Sequence, residues 1–153
     1  MQICSCYVFE GISDAQLGRL SGILREIRVG AGRWLFQEGD NGEAFYVLLE
    51  GAVEKVTLVE PGFELPISIL RAPGECLGVS ALVPPHVYSL SARCVEDSVL
   101  QAFDRAELEQ LIRDDYLLGF NIMKNLAAYL LQRLNETRGE LKVHFRTILQ
   151  FTH

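Results

Sequence analysis

Glycine and proline residues divide the middle of the chain into short apolar segments, and this division limits the possible folds more than any other feature. A turn signal recurs about every 8–12 residues, as in an all-β domain. The segment 65–70 alternates apolar and polar residues, as a half-buried strand does. The segments that read as strands are 34–36, 45–49, 52–59, 65–70, 87–95 and 98–103. This pattern predicts a β-sandwich or β-barrel.

Capping residues predict helices on both sides of the strand region. Ser13 and Gln16 are spaced as a capping box, and the apolar spacing that follows predicts a helix over about 14–25. Asp104 and Glu107 form a second such pair before a short helical pattern.

The longest helical pattern runs from 116 to 151, where there is no proline and there are only two glycines. Apolar residues recur there at two positions of a seven-residue repeat, which is typical of a coiled coil. We therefore predict that two copies of the chain pair along this helix; the alternative is that the helix lies on its own barrel. The predicted dimer interface consists of Phe120, Met123, Ala127, Leu130, Leu134 and Leu141. We call these interface residues the seam of the helix. Four leucines outside the seam are predicted to pack on the barrel: Leu117, Leu118, Leu126 and Leu131.

Composition narrows the classes of function. The formal net charge is −6, whereas a domain that binds nucleic acid by itself usually has a basic surface. No apolar run reaches the length of a membrane span, and the first residues lack the build of a secretory signal. We therefore expect a cytoplasmic protein with no direct nucleic-acid or membrane partner. Its four cysteines are expected to be free thiols.

The stretch 31–51 resembles the first half of a cyclic-nucleotide-binding domain. Phe36 to Asp40 fits the motif F-x-x-G-D, and the stretch 41–51 fits x-G-x-x-F/Y-Y followed by two apolar residues and a glycine. The segments 73–75, 91–93 and 103–105 resemble its second half, so that the similarity covers roughly 8–138.

The resemblance is to the sensor domains of catabolite-activator and fumarate-nitrate (Crp/Fnr) transcription regulators. It implies a mainly β fold with helices: a double-stranded β-helix, or jelly roll, with a short N-terminal helix and a long C-terminal dimerisation helix. The predicted division is a domain over 1–113 and the long helix over 114–153. We expect no helix-turn-helix within these 153 residues.

The phosphate-binding stretch of the family departs from its pattern here. The family has a glutamate that accepts from the ribose and an arginine that pairs with the phosphate, whereas this chain has Val79 and Tyr88 at those positions. Losing a hydrogen-bonded charge contact typically costs about 2–5 kcal/mol of affinity. We therefore expect a pocket of similar shape with a neutral lining and weak binding of cyclic AMP or cyclic GMP. The pocket candidates are Gly78, Val79, Ser80, Ala81, Tyr88, Ser89, Ser91 and, from the long helix, Thr137.

Other chemistry has less support in the sequence. Haem binding through His86, Cys76 or Tyr88, or an iron–sulfur cluster that uses Cys4 and Cys6, would need patterns that the chain does not reproduce. We therefore predict no resident cofactor and no metal site. No nucleophile elbow, zinc-protease motif or phosphate-binding loop indicates an enzyme. The predicted function is a small-molecule-sensing regulatory domain. The alternatives are a ligand-free dimeric scaffold and a true cyclic AMP or cyclic GMP receptor.

Overall fold

Two four-stranded antiparallel sheets face each other in the computed structural model, which describes residues 1–152. The strand orders are β1-β8-β3-β6 and β2-β7-β4-β5. The strands are β1 (Leu24–Val29), β2 (Trp34–Phe36), β3 (Ala44–Glu50), β4 (Val53–Glu60), β5 (Phe63–Leu70), β6 (Cys76–Leu77), β7 (Ser91–Cys94) and β8 (Ser98–Asp104). Strand β1 pairs with β8, β2 with β7, β3 with β6 and β4 with β5. This nested pairing is that of a jelly roll. The predicted fold class is confirmed.

Three helices flank the sheets: α1 (Asp14–Ser21), α2 (Arg105–Asp114) and α3 (Tyr116–Phe151). The Ser13 hydroxyl accepts from the backbone N–H of Gln16 at 3.2 Å, and the Gln16 side chain accepts from the Ser13 N–H at 3.2 Å. The predicted capping box therefore starts α1. Two short 3-10 turns complete the fold, at Tyr7–Phe9 and Val79–Leu82.

The prediction of α1 was too long at its C-terminal end. The helix stops at Ser21, and Leu24–Val29 forms strand β1, which pairs with residues 98–103 of β8. The apolar residues that suggested a continued helix are therefore part of a sheet. Strand pairing with residues 69 to 79 positions away outweighed the local helical spacing.

The predicted strand over 87–95 was also too long. Regular pairing covers only Ser91–Cys94, whereas Val87 makes a single isolated bridge to Asn41. The second predicted capping box is half formed. Asp104 accepts from the Glu107 N–H at 2.9 Å, but the Glu107 carboxylate pairs with Arg25 at 3.2 Å.

Aromatic rings fill the core between the first sheet and the helices. Phe45 and Phe103 are fully buried, with their ring centroids 5.4 Å apart, and Phe9 packs edge-on against Phe103 at 5.1 Å. Leu118 and Leu126 of α3 belong to the same cluster. The two other leucines predicted to pack there, Leu117 and Leu131, are exposed, because they lie on the opposite side of the helix.

Helix α3 leaves the barrel after its first third. All of its buried residues lie between Leu118 and Leu126, and every residue from 130 to 152 is exposed. Residues 130–151 therefore extend about 33 Å at 1.5 Å per residue. Within residues 1–152, no helix has an apolar stretch long enough to cross a bilayer, and this includes α3.

Candidate functional site

A cavity of about 70 Å³ lies between the two sheets and α3, at the position predicted for the ligand pocket. Five of the eight predicted pocket residues line it: Gly78, Val79, Ser80, Ser89 and Ser91. The remaining lining residues are Tyr7, Phe36, Lys55, Cys76, Leu77, Leu90, Ala92 and Tyr129. A larger and more open groove of about 610 Å³ runs between the N-terminal segment and residues 73–75, but it contains none of the predicted residues.

Residues 78–80 form a cradle at one end of the cavity. Gly78 fixes the shape of this cradle, because a side chain at this position would be strained. Its backbone has a positive φ of 74°, and a Cβ atom at this position would lie 2.9 Å from a ring carbon of Tyr88. The 3-10 turn Val79–Leu82 starts directly after it. The glycine therefore lets the backbone of the turn lie against the barrel wall.

Tyr88 and Ala81 belong to the wall behind the cavity and do not line it. The Tyr88 hydroxyl donates to the Ala44 carbonyl at 2.7 Å and accepts from the Ala44 N–H at 3.2 Å. The Tyr88 ring stacks on Phe36 with a centroid distance of 3.9 Å. Burial raises the pKa of Tyr88. Ala81 is fully buried. Their assignment to the lining was wrong, because packing and backbone hydrogen bonds hold both residues inside the wall.

Thr137 does not reach the cavity of its own chain. It is exposed on α3, two turns beyond Tyr129, and its hydroxyl donates to the Arg133 carbonyl at 2.9 Å. The prediction that Thr137 belongs to the pocket is therefore not met in the single chain.

Tyr7 and Tyr129 close the cavity on the side of α3. Their rings are stacked, with centroids 4.1 Å apart, and burial raises the pKa of both phenols. The Asn125 side chain donates to the carbonyls of Val8 at 3.0 Å and Glu10 at 2.8 Å, which ties the N-terminal segment to the helix. Sequence reasoning missed both tyrosines. Tyr129 follows Leu126 by three residues, so that it shares the buried face of α3, whereas Tyr7 carries no local signal.

Lys55 of β4 is another lining residue that the sequence did not indicate. It is partly buried, and it makes no hydrogen bond or ion pair through its side chain within residues 1–152. Burial lowers the pKa of Lys55 below its ordinary value, and the positive charge of Arg133 lowers it further. The cavity is thus neutral except for one cation.

The cysteines and histidines do not assemble into a metal site in the part of the chain that the structure describes. Cys76 and Cys94 are buried in the apolar clusters. A hydrogen bond with Cys76 lowers the pKa of the Cys6 thiol. His86 lies outside the cavity lining, with Nδ1 at 2.7 Å from the Ala81 carbonyl oxygen.

Comparison with known proteins agrees with this geometry. The family model described as "Cyclic nucleotide-binding domain" matches residues 26–115. The chain is 31% identical over 134 residues to the cyclic AMP receptor protein of Thermus thermophilus, a match that covers 88% of this chain and 60% of that protein. It is 24% identical to the CRP-like cAMP-activated global transcriptional regulator of Mycobacterium tuberculosis, covering 88% of this chain and 58% of that protein. The chain therefore spans about 60% of the length of the curated relatives it matches.

Solved structures show the same architecture. The catabolite activator protein of Thermus thermophilus superposes with a TM-score of 0.75 and 30% identity, covering 90% of this chain and 62% of that chain. A putative cyclic nucleotide-binding protein from Geobacter metallireducens gives a TM-score of 0.71 and 29% identity, covering 83% of this chain and 91% of that chain.

Proposed function

Because the chain belongs to the cyclic nucleotide-binding domain family, we propose that it is a ligand-responsive regulatory module of the Crp/Fnr type. A small molecule in the cavity would favour one position of α3 relative to the barrel. One observation carries the proposal: the cradle residues 78–80 and Tyr129 of α3 are walls of the same cavity. A ligand that contacts both walls has a different affinity for each placement of the helix, and that difference is what shifts an equilibrium.

The proposed module does not bind cyclic AMP or cyclic GMP tightly. Val79 lines the cavity where relatives have an acidic contact, and the Tyr88 hydroxyl is bonded to the backbone of Ala44. The cavity volume of about 70 Å³ is also too small for a nucleotide, since pockets that bind drug-sized ligands measure about 300–1,000 Å³. A cyclic nucleotide would have to displace the stacked rings of Tyr7 and Tyr129.

The proposed output is a change in the pairing of two α3 helices. The seam residues predicted from the sequence are exposed along α3 in the single chain, which leaves a long apolar face without a partner. An isolated helix of this kind gains little stability in water, so a second copy of α3 is the proposed partner. The module is proposed to have no enzymatic activity, since the relatives named above are a receptor and a regulator.

Calorimetric titration of the chain with cyclic AMP and cyclic GMP tests the ligand assignment. The dissociation constants of both nucleotides are expected to be at least about 30-fold higher than in a domain that has the two charged contacts. A thermal-shift screen of metabolites is expected to find a different stabilising molecule. Tight nucleotide binding would retain the sensing function and contradict our interpretation of Val79 and Tyr88.

A ligand-free scaffold is the second candidate function, and the stacked pair of Tyr7 and Tyr129 favours it, because the pair occupies the side of the cavity next to α3. The variant Tyr7→Ala separates the two candidates. A sensing module is expected to bind a screened ligand more tightly once this ring is removed, whereas a scaffold is expected to bind nothing in either form.

A further inference from the structure

Lys55 is the only charged residue among those described that line the cavity. We propose that it is the counter-charge for the ligand, so that the cavity takes a small molecule with a single negative charge, such as a carboxylate. The inference rests on the proposed sensing function and specifies the ligand class of the same site.

The position of Lys55 in the sheet points its side chain inward. Lys55 pairs with Ala92 of β7, which is fully buried and also lines the cavity. Residues directly opposite each other on neighbouring strands share a face of the sheet. Lysine is rarely placed on an inward face without a partner, because an unpaired charge out of water is costly. This cost makes the residue a candidate for a binding role.

The acidic side chains around Lys55 are already engaged. Glu54, its neighbour on β4, pairs with Arg93 at 2.9 Å. The Glu75 carboxylate accepts from the backbone N–H groups of Arg71 and Ala72, each at 2.9 Å. An anion that enters the cavity would therefore meet a cation whose charge no neighbouring carboxylate neutralises at contact distance.

Arg133 adds a second positive charge on the side of α3. It pairs with Glu136 at 2.7 Å, and its charge still disfavours the protonated form of Lys55. A bound anion would relieve this repulsion between β4 and α3. The negative group of the ligand is thus expected to face β4 and α3, on the side of the cavity away from the cradle where relatives hold a phosphate.

Hydroxyl groups on the cradle side complete the site. The Ser91 hydroxyl accepts from the Glu38 N–H at 2.8 Å, and the Ser80 hydroxyl accepts from the Ser89 N–H at 3.3 Å. Each hydroxyl keeps its own hydrogen to donate. With a volume of about 70 Å³, the cavity accommodates a group of a few heavy atoms, which fits a small carboxylate and not a nucleotide.

Reductive labelling with two small aldehydes tests the charge preference in the intact chain. Glyoxylate is anionic and glycolaldehyde is neutral; each forms an imine with a lysine amine by loss of water, and cyanoborohydride reduces the imine. Peptide mass spectrometry compares Lys55 with the two other lysines of the chain, Lys124 and Lys142. The ratio of glyoxylate to glycolaldehyde labelling is expected to be about tenfold higher at Lys55, because the positive charge of Arg133 still attracts the anion when Lys55 is in the neutral form that attacks the aldehyde. The reactivity of the amine itself affects both aldehydes and cancels in the ratio.

A second measurement uses acetate and its neutral isostere acetamide as probes. Acetate is expected to raise the melting temperature of the wild type and to protect Lys55 from labelling, whereas acetamide is expected to do neither. The variant Lys55→Gln is expected to lose the acetate response. Lys142→Gln, which removes the same charge from the exposed part of α3, is expected to keep it.

Three results overturn the assignment: equal labelling ratios at all three lysines, no acetate response in the wild type, or an acetate response retained by Lys55→Gln. Failure of the proposed function looks different. If a neutral compound stabilises the wild type and Lys55→Gln equally, the anion assignment is wrong and the proposed sensing function still holds. An acetate response without any effect on the pairing of α3 would retain Lys55 as an anion site and reject the sensing module.

Discussion

At the scale of single residues, Tyr88 shows how one residue can take a structural role in place of a ligand contact. Where relatives are expected to place a cation for a phosphate, Tyr88 contributes a ring stacked on Phe36 and a hydroxyl bonded to Ala44. The sequence identified the position and the missing charge. It did not show that the side chain is inside the wall, because that depends on Phe36, a residue 52 positions away.

Removing the Tyr88 hydroxyl tests its structural role. Tyr88→Phe keeps the stacked ring but leaves the carbonyl and N–H of Ala44 without this partner, and we expect the free energy of unfolding to fall by about 1–2 kcal/mol. Urea denaturation measures the change. Tyr116→Phe, at a residue that is 79% exposed, is expected to have no effect. Equal stability of Tyr88→Phe and wild type would contradict the role of the hydroxyl.

The thiol of Cys6 provides a second test at this scale. Its pKa is lowered mainly by a hydrogen bond with Cys76, while burial acts in the opposite direction. Cys76→Ala is therefore expected to raise the pKa of Cys6 and slow its alkylation by iodoacetamide at neutral pH, since the thiolate is the reactive form. The measurement is the rate of alkylation against pH, with Cys94→Ala as the control. An unchanged profile would show that Cys76 does not stabilise the thiolate.

At the scale of elements, Asp115 joins helices α1 and α3 through one carboxylate. It caps α3 by accepting from the Leu118 N–H at 3.1 Å, and it pairs with Gln16 at 3.0 Å and with Arg19, both on α1. It also lies directly after the last residue of α2. The capping roles of Ser13 and Asp104 were visible in the sequence because they are local. The contact of Asp115 with α1 was not, because it joins residues almost 100 positions apart.

The pH dependence of stability reports on this junction. The pKa of Asp115 is lowered from its ordinary value of 3.8, first by the Gln16 side chain and then by the Leu118 N–H. A lowered pKa in the folded state stabilises the fold above the unfolded value, and this contribution is lost as the pH falls through the folded value. Asp115→Asn is therefore expected to melt at a lower temperature than wild type at neutral pH, with the difference shrinking below about pH 3.8.

Asp114→Asn is the matched control for this comparison, because it removes the same charge one residue earlier. Among residues 1–152, the Asp114 carboxylate accepts only from Gln110, at 3.2 Å and on the exposed side of α2. The melting temperature of Asp114→Asn is expected to follow that of the wild type at every pH. Parallel curves for wild type and Asp115→Asn across the acid range would exclude the proposed contribution.

At the scale of the whole molecule, the sequence predicted the architecture better than the site. Turn spacing indicated a β-sandwich or β-barrel and the heptad pattern indicated a long helix, because both signals repeat along the chain. The jelly roll itself was implied by the resemblance to the family. The cavity is built from Tyr7, Lys55 and Tyr129 as well as from the cradle, and these residues come from the N-terminal segment, β4 and α3. Only the folded chain brings them together.

Pairing along α3 is tested by replacing two seam leucines that are exposed in the single chain. We expect sedimentation equilibrium to show a dimer for the wild type and a monomer for Leu134→Glu combined with Leu141→Glu, because the new charges would be buried against each other. Val143→Glu changes an equally exposed residue outside the seam and is expected to remain dimeric. A monomeric wild type would contradict the pairing.

In the proposed module, the exposed part of α3 would act as a lever that pivots at Tyr129. A tilt of about 5° at this residue would carry the far end of the helix sideways by about 3 Å, given the length that lies beyond it. A shift too small to alter the outline of the barrel would in this way be magnified at the tip. The position of the helix end at Phe151 would then depend on the occupancy of a cavity many ångströms away.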